Sequence, residues 1–555
     1  MFVRVKTTKN SPKKYVQIVA SLREDNKVKQ RIVRHIGYAL DDDELTRLKD
    51  LATYILEKMK SETHPSLFAP EQLARMAIES RTKAKPNNAP LRVDLEKLRE
   101  QSRIIVGIHD IYGSIYDELG FNKIIPPERK VKSARILKDI VMARIANPSS
   151  KRKNVADLVR DFGIKIDLSA VYRMMDHLQQ PQEQDIQQKA FHAAKQLFPE
   201  PIRVLFYDCT TLYFESVVED TLKSKGYSKD MKFNQSQVLL ALMVTPGGLP
   251  VGYRLYKGNS FEGNTLKDAM EHMASLDDVQ EVVFVADSAM LSKENIDLLK
   301  KHNQKYIVGA RIKNLNSQLK KEIIQTDTYQ QTSTEEESLV KIKTWQLDQD
   351  TSLIVSYSAK RARKDAFDRQ QAIDRLEKKL NRSKDPIHLV SNYGYKKFLK
   401  SNAKGKVEVD TKKIAEAEKW DGLHGVITNK TATRPQEILS HYKGLWEVEE
   451  TFRISKHDMK IRPIYHWTER RIHAHIALCF MALTCIRHLS YRVGLQYKKL
   501  SPEVIRNELS HQQLSILKHK ETGKTYGIPS RKTTISGKVY QIMAKSHSDV
   551  PFAIK

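Results

Sequence analysis

At 555 residues and 40% hydrophobic content, the chain is long enough for several domains and apolar enough for real cores, which excludes a disordered protein. Its formal net charge of +28, from 95 Lys and Arg against 67 Asp and Glu, calls for a polyanion, and nucleic acid is the commonest one. Three cysteines (Cys209, Cys479 and Cys485), an N-terminus without the apolar run of a signal peptide, and a longest apolar run of Ile472 to Ile486, short of the roughly 20 residues that span a bilayer, lead to the expectation of a cytoplasmic protein without disulfides, CxxC metal sites or a membrane segment.

Residues 1–40 hold ten Lys and Arg and two acids. Tyr15–Arg23 and Lys27–Ile36 are β-prone around the turn signal Glu24-Asp25-Asn26, which predicts a basic hairpin, and Asp41–Asp43 open a helix to about Lys60. Residues 61–95, rich in Pro, Ala, Asn and charge, look like a loose helix plus a linker. Helices are expected over Leu91–Leu98, Ile111–Leu119 and Ser133–Ile145. Asn154–Phe162, a turn at Gly163, and Leu168–Leu178 then give a helix-turn-helix outline within 133–178. Arg144, Lys151, Arg152, Lys153, Arg160 and Arg173 are its candidate phosphate contacts. A further helix runs to about Phe198.

From residue 203 the period changes to that of strands: Arg203–Tyr207, Gln237–Val244, Pro250–Tyr256, Val282–Ala286 and Tyr306–Ala310, with helices over Thr265–Leu276 and from Ser292 to about His302. The order is that of an α/β fold. Residues 316–430 interrupt it with strands at Lys341–Leu347, Leu353–Ser358, Lys406–Val409 and Gly425–Thr428 and one highly charged helix, Lys360–Leu380, and predict a β-rich inserted domain. Helices resume from Arg434. The tail from Tyr497 is basic and reads as peripheral, apart from a helix over Pro502–Leu517. The expected divisions are 1–62, 63–198, 199–315, 316–430, 431–495 and 496–555.

Three carboxylates stand out. Asp208 follows the apolar run Val204 to Tyr207, and Asp287 follows Val282 to Ala286, so both are expected at strand ends, where α/β sheets hold ligands. Asp is also common in any turn after a strand. The third lies in Tyr442–Tyr465, YKGLWEVEETFRISKHDMKIRPIY. On a continuous helix Glu449, Arg453, Lys456 and Lys460 form one stripe, with Val448, Phe452 and Met459 on a buried stripe beside it. Glu447 and Glu450 each lie about 100° from Glu449, so one acid of the three can face a given point squarely. Two Asp and one Glu suit hard divalent metals, and two ions about 3.5–4 Å apart can activate an attacking oxygen and stabilise a leaving one in phosphodiester chemistry. His473 and His475, at i and i+2, diverge on a helix and do not suggest zinc. No GxxxxGK[ST] pattern occurs, so no nucleotide cofactor is expected.

With these residues in place, the chain resembles DDE-type insertion-sequence transposases with an RNase H-like core, in the subgroup with a β-rich insertion and a Tyr-x2-Arg-x3-Glu-x6-Lys signature. The signature falls on Tyr442, Glu449 and Lys456, with Leu445 where the subgroup has Arg; Lys443 or Arg453 are the candidates to replace that phosphate contact. YDCTTLYF supplies the first Asp, VADSAML the second, and KRARKD and WDGLHGVITN are also similar. The resemblance implies catalytic and metal-binding Asp208, Asp287 and Glu449, holding two Mg²⁺ or Mn²⁺ ions. It implies DNA contacts from Tyr442 and Lys456, with Arg453 and Lys460 in the same cationic stripe. Trp446 either stacks on a displaced base or packs in the core, the second being the simpler reading. The activity implied is binding of double-stranded DNA at the element's terminal inverted repeats, cleavage there, and joining of the 3′-OH to target DNA, in a homodimeric synapse. The competing readings are a nuclease without strand transfer and a regulatory DNA-binding protein derived from a transposase.

Overall fold

The computed structural model describes residues 1–8, 11–24, 27–39, 42–63, 93–198, 202–228, 231–274, 283–288, 292–331, 340–382, 390–391, 394–401, 407–546 and 549–554. The turn at Asp25-Asn26 and most of the 61–95 linker lie outside them. The basic N-terminus is a sheet of three antiparallel strands, β1 (Phe2–Thr8), β2 (Ser11–Glu24) and β3 (Lys27–Ala39), one more than the hairpin expected. Helix α1 (Asp42–Thr63) closes one face of it. Leu45 and Ala52 meet Val16 and Ala39 there in a small core.

Of the helix expected from Leu91 to Leu98, the described residues hold a single 3-10 turn at Leu95–Lys97, and a strand, β4 (Leu98–Ile105), follows it. Five helices follow: α2 (Gly107–Glu118), α3 (Pro127–Ala146), α4 (Lys151–Phe162), α5 (Leu168–Met175) and α6 (Gln180–Leu197). Ser150 caps α4, and Gly163, at φ +67°, ends it in a left-handed conformation that suits glycine. The helix-turn-helix outline therefore stands in shape. Its cations do not all stand in function: Arg144 is 1% exposed and Lys151 is buried against His475, whereas Arg152, Lys153 and Arg173 are exposed.

The central strands are β5 (Val204–Tyr213), β6 (Gln237–Val244), β7 (Pro250–Lys257), β8 (Val283–Ala286) and β9 (Lys305–Ala310), with α7 (Leu266–Ala274) and α8 (Lys293–Lys301) between them. All eight residues of β6 are buried, which is why, after Gln237, it reads as an unbroken apolar run rather than an alternation. After α9 (Ser317–Ile324) come β10 (Gln330–Gln331), β11 (Val340–Asp348), β12 (Thr351–Ser358), α10 (Ala359–Arg382), β13 (Leu399–Ser401), β14 (Val407–Val409), α11 (Thr411–Glu418), β15 (Leu423–Thr428) and α12 (Pro435–Lys443). The chain closes with α13 (Trp446–Arg453), α14 (Glu469–Gln496), α15 (Pro502–Ser510), β16 (Gln513–His519), β17 (Thr525–Pro529), α16 (Thr534–Ile542) and β18 (Phe552–Ile554).

These elements form two units: 203–208 with 261–446, and the remainder. In the first, the strand order is β10-β11-β12-β15-β9-β8-β5, parallel at β5/β8 and β8/β9 and antiparallel from β9 outward. The strands of 316–430 thus mostly extend the core sheet. Among the described residues of this segment, only β13 and β14 form a sheet of their own, packed through Leu399 and Val407 on Leu376 of α10. In the second unit, β6 and β7 pair antiparallel, and α14 packs its apolar length inside, with Phe480 4.9 Å from the Tyr253 ring. α14 is long and apolar enough to cross a membrane, but 94% of its apolar window is buried, as in a core helix. The tail is structural rather than peripheral. Gln513–His519 is a strand, not the end of a helix, and β16 pairs with β4 from Gln513↔Ile105 to His519↔Leu98. Tyr540 of α16 donates to Asp110 at 2.7 Å.

Candidate active site

Burial on both faces holds Val204 to Tyr207 and Val283 to Ala286 in parallel register, with Tyr207 opposite Ala286. The next residues are Asp208 and Asp287. Two carboxylates therefore stand side by side at the carboxyl end of this strand pair, where open α/β sheets hold ligands. Asp208 is half-buried and Asp287 exposed. One expectation is corrected: β5 does not end at Asp208 but runs on to Tyr213, and it is β8 that stops. Asp208 thus gains a continuous strand behind it. Asp287 Oδ1 accepts the Ser288 N–H at 2.5 Å.

Tyr442 reaches this corner from α12. Its ring lies 5.0 Å from that of His424 on β15, tilted by 40°. A Cβ at Gly309 of β9 would collide with the Tyr442 hydroxyl and stand 3.1 Å from the Ser288 amide nitrogen, so glycine is what lets the phenol down onto the β8–β9 edge. Burial, with the charge of Arg361, pushes the His424 imidazole down to about 4, against the opposite pull of Asp287. His424 is therefore neutral at pH 7. Neither His424 nor Gly309 is singled out by sequence patterns; a histidine inside an otherwise apolar strand is the one available signal. At the C-cap of α12, a Cβ on Gly444 would collide with the Phe206 ring, so glycine lets this turn sit directly on β5. Leu445 is buried at 9% exposure and occupies a packing position rather than a phosphate-facing one. Trp446 is 43% exposed, against the core-packing expectation.

The helix expected to run unbroken from Tyr442 is in three pieces. After the break at Gly444–Leu445 and the two turns of α13, residues Ile454–Asp458 form a π turn, in which Met459 N–H bonds to Ile454 O at 2.9 Å, five residues back. The wider turn rotates everything after Arg453 away from the α register. Glu449, Arg453, Lys456 and Lys460 are consequently not one stripe, and Lys460 lies past the helix at φ +47°. Val448, Phe452 and Met459 are buried as expected. Glu447 and Glu450 both meet Arg487 of α14, at 2.9 and 3.1 Å, and Arg487 Nε also donates to Gly248 O at 2.6 Å. A Cβ on Gly248, at φ +78°, would collide with that guanidinium. Glu449 takes no part in this clamp and is exposed, as is Arg453, 3.6 Å from Glu450; Lys456 is half-buried.

The end of the π turn is held by its carbonyls. Arg144 donates to Met459 O and Lys460 O at 3.1 and 3.0 Å, Arg506 to Asp458 O at 3.2 Å, and His475 Nε2 to Ile461 O at 3.0 Å. The buried Arg144 guanidinium serves the backbone, which corrects the phosphate role expected for it. His473 turns instead to Glu183 at 3.3 Å, so the two histidines diverge. Among the described residues no three His, Cys, Asp or Glu side chains gather as a metal cluster. The adjacent Asp208 and Asp287 are nevertheless hard oxygen donors that fit Mg²⁺, which keeps several waters and takes one or two protein carboxylates.

Residues 199–485 match the family described as the transposase DDE domain, and residues 3–70 match the N-terminal domain of IS1634 family transposases. Among solved structures, the chain is similar to a piggyBac transposase synaptic complex with hairpin DNA, at 9% identity over 73% of this chain and 76% of that one, with a TM-score of 0.36. It is also similar to a Mos1 transposase paired-end complex with left transposon end, at 10% identity over 48% and 77%, with a TM-score of 0.15. No curated protein matches the sequence.

Proposed function

The chain belongs to the transposase DDE-domain family, an RNase H-like, metal-dependent class of DNA-acting enzymes, and from that premise we propose that it cleaves the ends of its own insertion sequence and joins them to target DNA. Asp208, Asp287 and Glu449 are the catalytic triad and hold two Mg²⁺ or Mn²⁺ ions. When bound, such ions activate the attacking oxygen and neutralise charge on the phosphate being transferred. The protein supplies position. The β5/β8 register keeps Asp208 and Asp287 adjacent, and this adjacency is the observation on which the proposal rests. Tyr442, seated over Gly309 beside Asp287, orients a phosphate through its hydroxyl. Lys456, Arg453 and Lys460 neutralise the DNA backbone, and exposed Trp446 stacks on a displaced base. The partners are the terminal inverted repeats and target DNA, bound by a homodimer in the synapse, in the cytoplasm at the nucleoid.

The test is cleavage of element-end DNA in Mg²⁺ by Asp208→Asn, Asp287→Asn and Glu449→Gln. Each is expected to lose roughly a thousandfold or more in rate while binding the same DNA. Wild-type cleavage by any one of them removes that residue from the metal site. Appearance of the excised 3′-OH joined to a second duplex distinguishes transposition from cutting alone.

A further inference from the structure

The segment after the π turn runs beside the end of β5, and the two interleave aromatic rings with cations. Ile464 N–H bonds to Tyr213 O at 3.1 Å, and Phe214 bridges to Ile464. The Tyr213 ring has Lys232 Nζ 5.7 Å and the Arg462 guanidinium 5.4 Å from its centroid. Lys223 Nζ stands 5.6 Å from the centroids of both Phe214 and Trp467. Lys223 is itself fixed: its side chain is 4% exposed, paired with Asp220 at 3.1 Å and donating to Trp467 O at 3.2 Å. Trp467 is thereby pinned from within, yet 66% exposed, and Tyr465, two residues before it, is 61% exposed. Across the β5 loop Tyr227 and Phe233, 79% and 50% exposed, have rings 6.3 Å apart.

Single large apolar residues on a surface need no explanation, but several rings on adjoining segments, with cations at their faces, make a patch with a use. Rings ask for a flat apolar partner and the cations for an anion. Nucleotides offer both, and only unpaired ones expose base faces. We propose that this surface binds unpaired nucleotides of a DNA strand, Trp467 and Tyr465 stacking on bases while Lys232 and Arg462 meet phosphates. The identity of the strand as DNA rests on the family assignment; the surface does not depend on the carboxylate site.

The experiment uses the full chain, in chelator, with a labelled oligothymidylate of about 20 nucleotides and an unrelated duplex of equal length, followed by fluorescence anisotropy. The double variant Trp467→Ala/Tyr465→Ala is expected to weaken oligothymidylate binding by about tenfold or more and duplex binding by less than about twofold. Trp467→Phe, which keeps a ring, is expected to stay within about threefold of wild type. An equal loss on both DNAs, no loss on either, or a loss as large in the Phe variant overturns the assignment. Conversion of a dimer to a monomer by the double variant, read by light scattering, also overturns it and gives the face to a second copy. Because no metal is present, failure of the proposed metal site leaves this readout unmoved.

Discussion

Glu447 and Glu450 share Arg487, a guanidinium 8% exposed and bonded on to a backbone carbonyl, whereas Asp287 carries a local bond from Ser288 N–H and faces solvent. Both sets sit at places where a sequence motif puts carboxylates. The acids of α13 that are clamped are fold elements: burial raises the Glu447 carboxyl above its usual range more than Arg487 lowers it. Such a pair locks geometry more than it adds stability. Glu449, between them in sequence, is left exposed. An acid enclosed with a permanent cation is already spent on structure, and one held by a rigid backbone but open to water is available for chemistry.

The carboxylate variants above press this contrast hardest, since a loss of roughly a thousandfold in cleavage is expected with no loss of folding. Arg487→Ala tests the other half. It strands two partly buried acids and is expected to destabilise the chain by about 3–5 kcal/mol, read as a lower urea midpoint. Below that midpoint, cleavage by the folded fraction is expected to keep its Mg²⁺ dependence. If Arg487→Ala instead stays as stable as wild type while cleavage alone collapses, the division between structural and chemical acids is wrong.

Much of this arrangement is legible in the amino-acid sequence. The apolar run of β6 after Gln237 and the acids after Tyr207 and Ala286 follow from hydrophobic runs, and the capping signal at Ser292 starts a helix where expected. What escapes has physical reasons. β4 is not picked out because a short, charged strand takes its identity from its partner β16, some 400 residues away in sequence. The tail looks peripheral for the same reason. The π turn at Ile454–Asp458 has no local signature, yet it separates Lys460 from the stripe that an α-helix would give. Arg144 and Lys151 look like phosphate contacts because burial of a cation depends on carbonyls and rings supplied by distant segments.

Lys151 extends the comparison from acids to cations. Burial, aided by Arg144 and opposed by Cys479, pushes its ammonium down to about 7. The folded chain therefore binds fewer protons here than the unfolded chain between about pH 7 and the ordinary lysine value of about 10.4, so this group's contribution to stability rises with pH through that window. Wild type is expected to gain about 2 kcal/mol from this residue between pH 7 and 9, and Lys151→Met to lose that slope and be the more stable protein at pH 6. Urea midpoints at the three pH values decide it. An unchanged slope in the variant means that Lys151 keeps its charge when folded.

Lys443 is the solvent-facing counterpart, exposed one residue before the Gly444 turn that sits on Phe206. Leu445, where the signature has Arg, is buried, so Leu445→Arg forces a guanidinium into an apolar place and is expected to lower the urea midpoint without improving DNA binding. The contact has to come from a neighbour that water already reaches. Lys443 and Arg453 both qualify by exposure, but Arg453 is 3.6 Å from Glu450, whose charge it partly answers. Lys443→Ala is therefore expected to weaken DNA binding the more, by a few-fold at low salt, and to reduce the slope of log affinity against log salt by about one phosphate's worth. Arg453→Ala should do less. The reverse order assigns the vacant phosphate role to α13 rather than to the end of α12.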